Sequence, residues 1–151
     1  LALCPQGMSL DALHQAIYGE RKVSQGTLKT EMSQLRDTLT GLLGSRPYRL
    51  LMPIDGDFLR VEQSLNAGYL EAAIKLYTGI FFSKTESPFL CTWRTCLEAR
   101  LSQAIYHSDQ VDLLLMHLSN CPDASDAIER LIELMPDNLS IHQHLEVLSN
   151  R

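Results

Sequence analysis

Apolar residues near the start of the chain recur at helical spacing behind a polar residue that favours a helix start. Leu10, Leu13 and Ile17 form one stripe after Ser9, a good N-cap, and the stripe stops at Gly19. Glycine just past the last apolar position is a common helix stop. The pattern predicts a helix between Ser9 and Gly19.

A second amphipathic helix is predicted from Ser24 to Gly41, after a short polar turn over residues 20–24. Its apolar positions follow one another at intervals of four, three and four residues, as one face of a helix requires, and they are Leu28, Met32, Leu35 and Leu39. We expect this face to lie in the core.

A short strand is predicted after the second helix. Tyr48, Leu50 and Met52 alternate with Arg49 and Leu51, and prolines lie on both sides of the run. Period-two alternation between turn residues is typical of a strand, here one side of a hairpin.

A series of short helices is predicted for the remainder of the chain, residues 54–151. Asp57 is a good cap for a helix that ends at Asn66-Ala67-Gly68, and a second helix follows at once, so the two are expected to be antiparallel neighbours. Further helices are predicted around Trp93 and over residues 111–118, 124–135 and 139–148. The predicted fold class is therefore mainly α with a small β-hairpin.

Composition and charge fit this division. Hydrophobic residues make up 45% of the chain and charged residues 21%, ordinary values for a globular protein with a core. Residues 1–52 carry six basic and four acidic side chains, so the −5 net charge of the whole chain divides into +2 there and −7 in the rest. A mildly basic head on an acidic body is typical of a nucleic-acid reader joined to a protein-contact module. No run approaches the ~20 apolar residues of a membrane span, and no leader is visible, so a cytoplasmic location is expected.

The head resembles a known DNA-binding unit. Met32-Ser33-Gln34-Leu35-Arg36, then Leu39 and Gly41, resembles the V-S-x-L-R-x-x-L-G core of the recognition helix in response-regulator effector domains and actinobacterial antibiotic regulatory proteins, and Arg46-Pro47-Tyr48-Arg49-Leu50 resembles their G-Y-R-L wing strand. Met32, Thr40-Gly41 and Pro47 depart from that pattern. The resemblance implies a truncated winged helix-turn-helix over residues 1–53, in which Leu1–Cys4 is the remnant of a first helix. The opening of the chain suggests a domain from a longer polypeptide.

The helix face opposite the apolar stripe and the basic strand hold the candidate DNA contacts. Uncharged polar side chains of suitable length for base edges or phosphate oxygens are Thr30, Ser33 and Gln34. The cations expected at phosphates or the minor groove are Lys29, Arg36, Arg46 and Arg49. Asp37 lies on the same face and repels phosphate. Each of these residues could instead be an ordinary solvated side chain.

The body resembles a tetratricopeptide-like hairpin. The run Asn66–Tyr77, with sequence N-A-G-Y-L-E-A-A-I-K-L-Y, looks like the start of the helical activation domain that follows the winged helix in antibiotic regulatory proteins. Trp93, Glu98 and Leu101 loosely match the next helix of that family. The whole arrangement from Leu3 to Leu118 resembles C-terminal regions of actinobacterial regulators that carry a GAF sensor domain.

No catalytic or metal-binding signature is present, and we expect neither an enzyme nor a cofactor. The four cysteines form no CxxC pair, and no nucleophile elbow, phosphate loop or H-E-x-x-H motif occurs. The sequence predicts a transcription regulator that binds double-stranded DNA, with RNA polymerase, an upstream sensor domain or a second copy as further partners. The alternative is a protein-interaction scaffold with a vestigial winged helix.

Overall fold

The structure is a computed structural model, and it describes residues 1–136; the helix predicted over residues 139–148 lies outside them. Within the described residues the chain forms seven helices and one antiparallel hairpin, so the prediction of a mainly helical chain with a small hairpin is confirmed. The elements are α1 (Leu10–Tyr18), α2 (Gln25–Thr38), β1 (Leu43–Ser45), β2 (Tyr48–Leu50), α3 (Asp57–Asn66), α4 (Leu70–Leu76), α5 (Pro88–Tyr106), α6 (Val111–Asn120) and α7 (Ser125–Leu134).

The chain divides into two compact units. The first comprises Leu1–Gly56 together with Phe82–Trp93, and the second comprises Asp57–Phe81 and the described residues from Arg94 to 136. The predicted division after residue 53 places residues 82–93 in the second unit, whereas here they cluster with the first. Their contacts with the first unit include a hydrogen bond of 2.7 Å from the Ser87 hydroxyl to the carbonyl oxygen of Ala16 in α1.

Both helices of the first unit begin where the sequence predicts. The Ser9 hydroxyl accepts the backbone N–H of Ala12 at 3.1 Å, and the Ser24 hydroxyl accepts that of Thr27 at 3.1 Å. These bonds satisfy N–H groups that have no partner inside a helix. Gly19 ends α1 with a φ of 57° and donates its N–H to Gln15.

The second helix ends at Thr38, earlier than the predicted Gly41. The N–H of Gly41 donates to the carbonyl of Arg36 at 3.0 Å, and the N–H of Thr40 donates to that of Asp37 at 3.1 Å. This pair of bonds is a Schellman motif, whose left-handed position is usually a glycine. Here Thr40 occupies it with a φ of 51°, because the glycine comes one residue too late.

The core of the first unit is small and includes only part of the predicted apolar face. Its buried members are Leu13, Leu28, Met32 and Leu43, and Leu39 packs against them. Leu35 was expected in this core but is 38% exposed. At about 100° per residue Leu35 lies only about 20° from the buried Leu28, so the helical period does not explain its exposure.

The structure shows both strands of the hairpin, of which the sequence locates only the second. Gly44 pairs with Arg49 and Ser45 with Tyr48, so β1 completes the hairpin predicted from β2. Met8 extends the pairing on the other side of β2: its N–H donates to Tyr48 at 2.9 Å and its carbonyl accepts from Tyr48 at 2.8 Å.

The N-terminal residues correct one expectation. Leu1–Cys4, predicted as the remnant of a helix, forms a turn in which the N–H of Cys4 donates to Leu1 at 2.9 Å. A single such bond, followed by Pro5 with no N–H to donate, does not propagate a helix.

The second unit begins with the predicted helix pair. The packed helices α3 and α4 are joined at Gly68, whose φ of 77° closes a Schellman motif in which Tyr69 donates to Ser64. Helix α6 packs against α4 and α7. The buried hydrophobic side chains of this unit are Val61, Ala73, Ile74, Tyr77, Leu97, Leu101, Ile105, Leu113, Leu114, Leu118, Ala127 and Leu131. None of the helices described is long and apolar enough to cross a membrane.

Candidate nucleic-acid interface

The outer face of α2 carries a set of exposed polar side chains. Lys29, Thr30, Ser33 and Gln34 are all exposed. At about 100° per residue they fall within an arc of roughly 140° on the side away from Leu28 and Met32. The structure therefore brings these four predicted residues together on one surface.

The hydrogen bonds of this face decide what each side chain can offer a ligand. The Thr30 hydroxyl donates to the carbonyl of Gly26 at 3.1 Å, one turn earlier in α2. Its lone pairs remain free, so in this rotamer the hydroxyl can accept a hydrogen bond from a ligand but has no proton left to donate to one. The side chains of Ser33 and Gln34 form no hydrogen bond with other described residues, so both can donate and accept.

Arg36 differs from the other predicted cations. It is only partly exposed, and its Nε donates to the carbonyl of Leu43 at 3.2 Å. This bond ties the end of α2 to the first strand of the hairpin. Arg36 thus has a structural role in this conformation. Its other N–H groups remain available to a phosphate.

The two arginines of the hairpin are exposed. Arg46 lies in the turn between the strands, and Arg49 lies in β2 between the half-buried Tyr48 and Leu50. Because side chains alternate across a strand, Tyr48 and Leu50 face the core while Arg49 points away from it. Neither arginine forms an ion pair within residues 1–136, so both charges are available to an anionic partner.

The turn between α1 and α2 is held by hydrogen bonds to α1. His14 Nε2 lies 2.7 Å from the carbonyl oxygen of Val23. The Gln25 amide donates to Asp11 at 2.5 Å, and the Tyr18 hydroxyl donates to Glu31 at 2.5 Å.

These contacts also affect ionisation near the turn. The hydrogen bond to Glu31 raises the pKa of Tyr18 above its ordinary value of 10.0, with smaller contributions from desolvation and from the negative charge of Glu31. The Tyr18 hydroxyl is therefore neutral at physiological pH and donates its proton to a hydrogen bond with the Glu31 carboxylate.

One acidic and three apolar residues are exposed near these cations, and none of the four favours the binding of phosphate. Asp37 is exposed on the same arc of α2 and has no ion-pair partner among the described residues. Leu35, Leu42 and Leu51 are 38%, 41% and 50% exposed, and the N–H of Leu51 donates to the carbonyl of Leu42 at 2.9 Å.

A further free cation lies in the turn before α2. Lys22 is exposed, and it forms no ion pair within the described part of the chain. Its neighbour Arg21 is committed: it pairs with Glu86 at 2.8 Å and donates to the carbonyl oxygens of Ile17 and Tyr18. Lys22 is not among the contacts predicted from the sequence, although a cation immediately before the candidate recognition helix is a usable signal.

The functional groups of this surface are hydrogen-bond donors and acceptors and positive charges. The surface combines cations, a primary amide and hydroxyl groups, and among residues 1–136 no cluster of three or more His, Cys, Asp and Glu side chains could hold a metal ion.

Comparisons with known proteins give one relative of undescribed function. A Rhodococcus erythropolis protein described as "Uncharacterized 47.3 kDa protein in thcA 5'region" is 29% identical over 125 residues. The match covers 82% of this chain and 28% of the relative, so the chain spans well under half of that protein. No family model matches the chain. No solved structure matches it either.

Proposed function

We propose that this chain is part of a transcription regulator and that its first unit binds duplex DNA as a truncated winged helix. The observation that carries the proposal is the outer face of α2, where Lys29, Ser33 and Gln34 are exposed with free hydrogen-bonding groups. In this reading α2 is the recognition helix in the major groove, and the hairpin is the wing.

The order of elements in the first unit supports the proposal. A single bridging residue, Met8, precedes α1 and pairs with β2 of the hairpin that follows α2. This bridge, the two helices and the hairpin follow one another in the order expected for a winged helix that lacks its first helix. The hydrogen bond between His14 and the carbonyl of Val23 keeps the turn compact between the two helices.

The division of labour follows from side-chain chemistry. Cations at phosphates supply affinity with no sequence information, and we assign this role to Lys29, Arg46 and Arg49. Amide and hydroxyl groups that reach base edges supply specificity, and we assign this role to Gln34, Ser33 and Thr30. Arg36 positions the hairpin and makes a smaller contribution at a phosphate.

The second unit has the role of a protein-contact module in this proposal. The α3 and α4 helices pack together and are joined by a short connection at Gly68, which is consistent with the proposed tetratricopeptide-like hairpin. RNA polymerase, an upstream sensor domain or a second copy of the chain are the partners that a regulator of this kind would contact.

The proposal is tested by selecting bound sequences from a random duplex library and measuring affinity by fluorescence anisotropy. Wild type is expected to bind random duplex DNA at low salt and to enrich a defined motif. Gln34→Ala is expected to change the enriched motif, whereas Arg49→Ala weakens binding to all sequences by a similar factor. A folded protein that does not bind duplex DNA at low salt refutes the proposal.

A second candidate function is a protein-binding scaffold with a vestigial winged helix. The exposed leucines Leu35, Leu42 and Leu51, together with Asp37 on the polar face of α2, favour it. Apolar contact surfaces of this kind are typical of protein interfaces. Pull-down of a partner that Leu42→Ser abolishes, in a protein with no affinity for DNA, would favour the scaffold.

A further inference from the structure

A cavity of about 460 Å³ lies within the second unit. Its walls come from the segment after α4, the middle of α5, the end of α6 and the loop before α7, and they include Tyr77, Leu101 and Pro122. A volume of this size is in the usual range for a small-molecule site.

A buried polar side chain without a partner lies in the cavity wall. His117 is only 5% exposed, and its Nδ1 has no hydrogen-bond partner in the described structure. Burial lowers the pKa of His117, and the charge of Asp126 opposes this in part, so the ring is held neutral. An unsatisfied buried nitrogen costs free energy, and a bound ligand or water is the usual way in which it is compensated.

The charge of the wall selects the kind of ligand. Glu98 and Asp123 line the cavity, and neither carboxylate forms an ion pair with a described residue. Glu98 accepts the Tyr77 hydroxyl at 3.1 Å, which leaves its second oxygen free. No lysine or arginine lines the cavity in the part of the chain that the structure describes.

The remaining polar groups add acceptors. The Asn120 side-chain nitrogen donates to the carbonyl oxygens of Ile74 and Tyr77 at 3.1 and 3.3 Å, so its amide oxygen is left to accept. Burial and the charge of Glu98 raise the pKa of the Cys121 thiol, which keeps it protonated. The wall therefore offers acceptors and negative charge beside apolar surface.

We propose that this cavity binds a small organic cation, an amine carried on an aromatic or aliphatic body. The ammonium group donates to Glu98 beside Asp123, while the apolar body packs against Leu101, Pro122 and the ring of Tyr77. A cation next to a tyrosine ring is further stabilised by the ring quadrupole. This site is independent of DNA binding by the first unit.

The test uses three indole compounds of similar shape and different charge in calorimetric titrations of the full chain. They are tryptamine (cationic), tryptophol (neutral) and indole-3-propionate (anionic). Tryptamine is expected to bind about tenfold more tightly than tryptophol, as one charge-assisted hydrogen bond provides, and indole-3-propionate to bind more weakly still. Equal affinities for the three compounds, or no binding of tryptamine at millimolar concentration, overturn the proposal.

Two variants locate the binding. Glu98→Gln keeps an acceptor for Tyr77 but removes the charge, so it should weaken tryptamine about tenfold and leave tryptophol unchanged. Glu129→Gln, an exposed position outside the cavity, is the matched control and should change neither affinity. Ser102→Phe fills the cavity from α5 and should abolish binding, with its thermal unfolding compared with wild type. A folded Ser102→Phe that binds tryptamine as wild type does refutes the site.

Discussion

The proposed binding of DNA makes a quantitative prediction, namely how the affinity depends on salt concentration. Leu1–Gly56 contains six basic side chains, of which two are committed: Arg21 to Glu86 and two carbonyl groups, and Arg36 to the carbonyl of Leu43. The four that remain are Lys22, Lys29, Arg46 and Arg49.

Each phosphate neutralised contributes about −0.9 to the slope of log K against log salt concentration. The four free cations of Leu1–Gly56 therefore contribute roughly −3.6 to this slope for a single copy. Removing Arg46 and Arg49 together should make the slope less steep by about 1.8, because both charges are exposed and unpaired.

Anisotropy titrations of a random duplex at several salt concentrations measure these slopes. The matched control is Lys75→Ala/Arg100→Ala, which removes two positive charges from the second unit, where Lys75 pairs with Glu71 and Arg100 bonds to Asn66. We expect the control slope to equal that of wild type. A slope that the hairpin double variant leaves unchanged, or that both double variants reduce equally, would refute the assignment of Arg46 and Arg49 to phosphates.

Three further predictions follow from single residues. Asp37→Asn should tighten DNA binding about fivefold at low salt, since it removes a carboxylate from the proposed contact face; anisotropy measures this. Thr40→Gly should raise the free energy of unfolding by about 1 kcal/mol in urea titrations, because the left-handed conformation is costly for a residue with a Cβ. Burial lowers the pKa of His117 below its ordinary 6.5, so below that pH the unfolded chain binds a proton that the folded chain does not, and stability should fall. His117→Gln should remove this part of the pH dependence.

Each of these three predictions has a control variant or an outcome that would contradict it. Asp112→Asn removes an exposed carboxylate from α6 and should leave DNA affinity unchanged; a similar gain there would mean that only net charge matters. Gly68→Ala places a Cβ at the equivalent position after α3, where no atom lies within 4 Å, and should lower stability by the amount that Thr40→Gly adds. A Thr40→Gly protein no more stable than wild type contradicts the assigned cost. Equal loss of stability in wild type and His117→Gln between pH 7 and 5 would place the acid sensitivity elsewhere.

Local signals in the sequence predict the start of each helix in the first unit, since Ser9 and Ser24 form their caps with the residues that follow within one turn. The second strand of the hairpin is likewise visible in the alternation around Arg49. The first strand escapes detection because it has three residues, one of them glycine, and shows no alternation. The pairing of Leu43 with Leu50 and the hydrogen bond from Arg36 to the carbonyl of Leu43 form only when the unit folds.

The positions that the sequence misjudges depend on contacts distant in the chain. Periodicity assigns Leu35 to the core as readily as Leu28, yet Leu35 is 38% exposed and Leu28 is fully buried. The hydrogen bond from Thr30 to Gly26 and that from Arg36 to Leu43 change what two predicted DNA contacts can donate. The cavity beside His117 has no sequence motif, because its walls come from four separate segments.

The bond from Ser87 to Ala16 and the ion pair between Arg21 and Glu86 have a practical consequence for anyone who dissects this protein. The first unit is encoded in two stretches of the gene, with the code for α3 and α4 inserted between them. A fragment cut at residue 56 would lose both contacts and the close approach of Pro88 to Gly19. Recombination that exchanges the first unit between related genes would have to keep the code for residues 82–93 with that unit, so the natural crossover point lies inside α5 and not at the apparent linker.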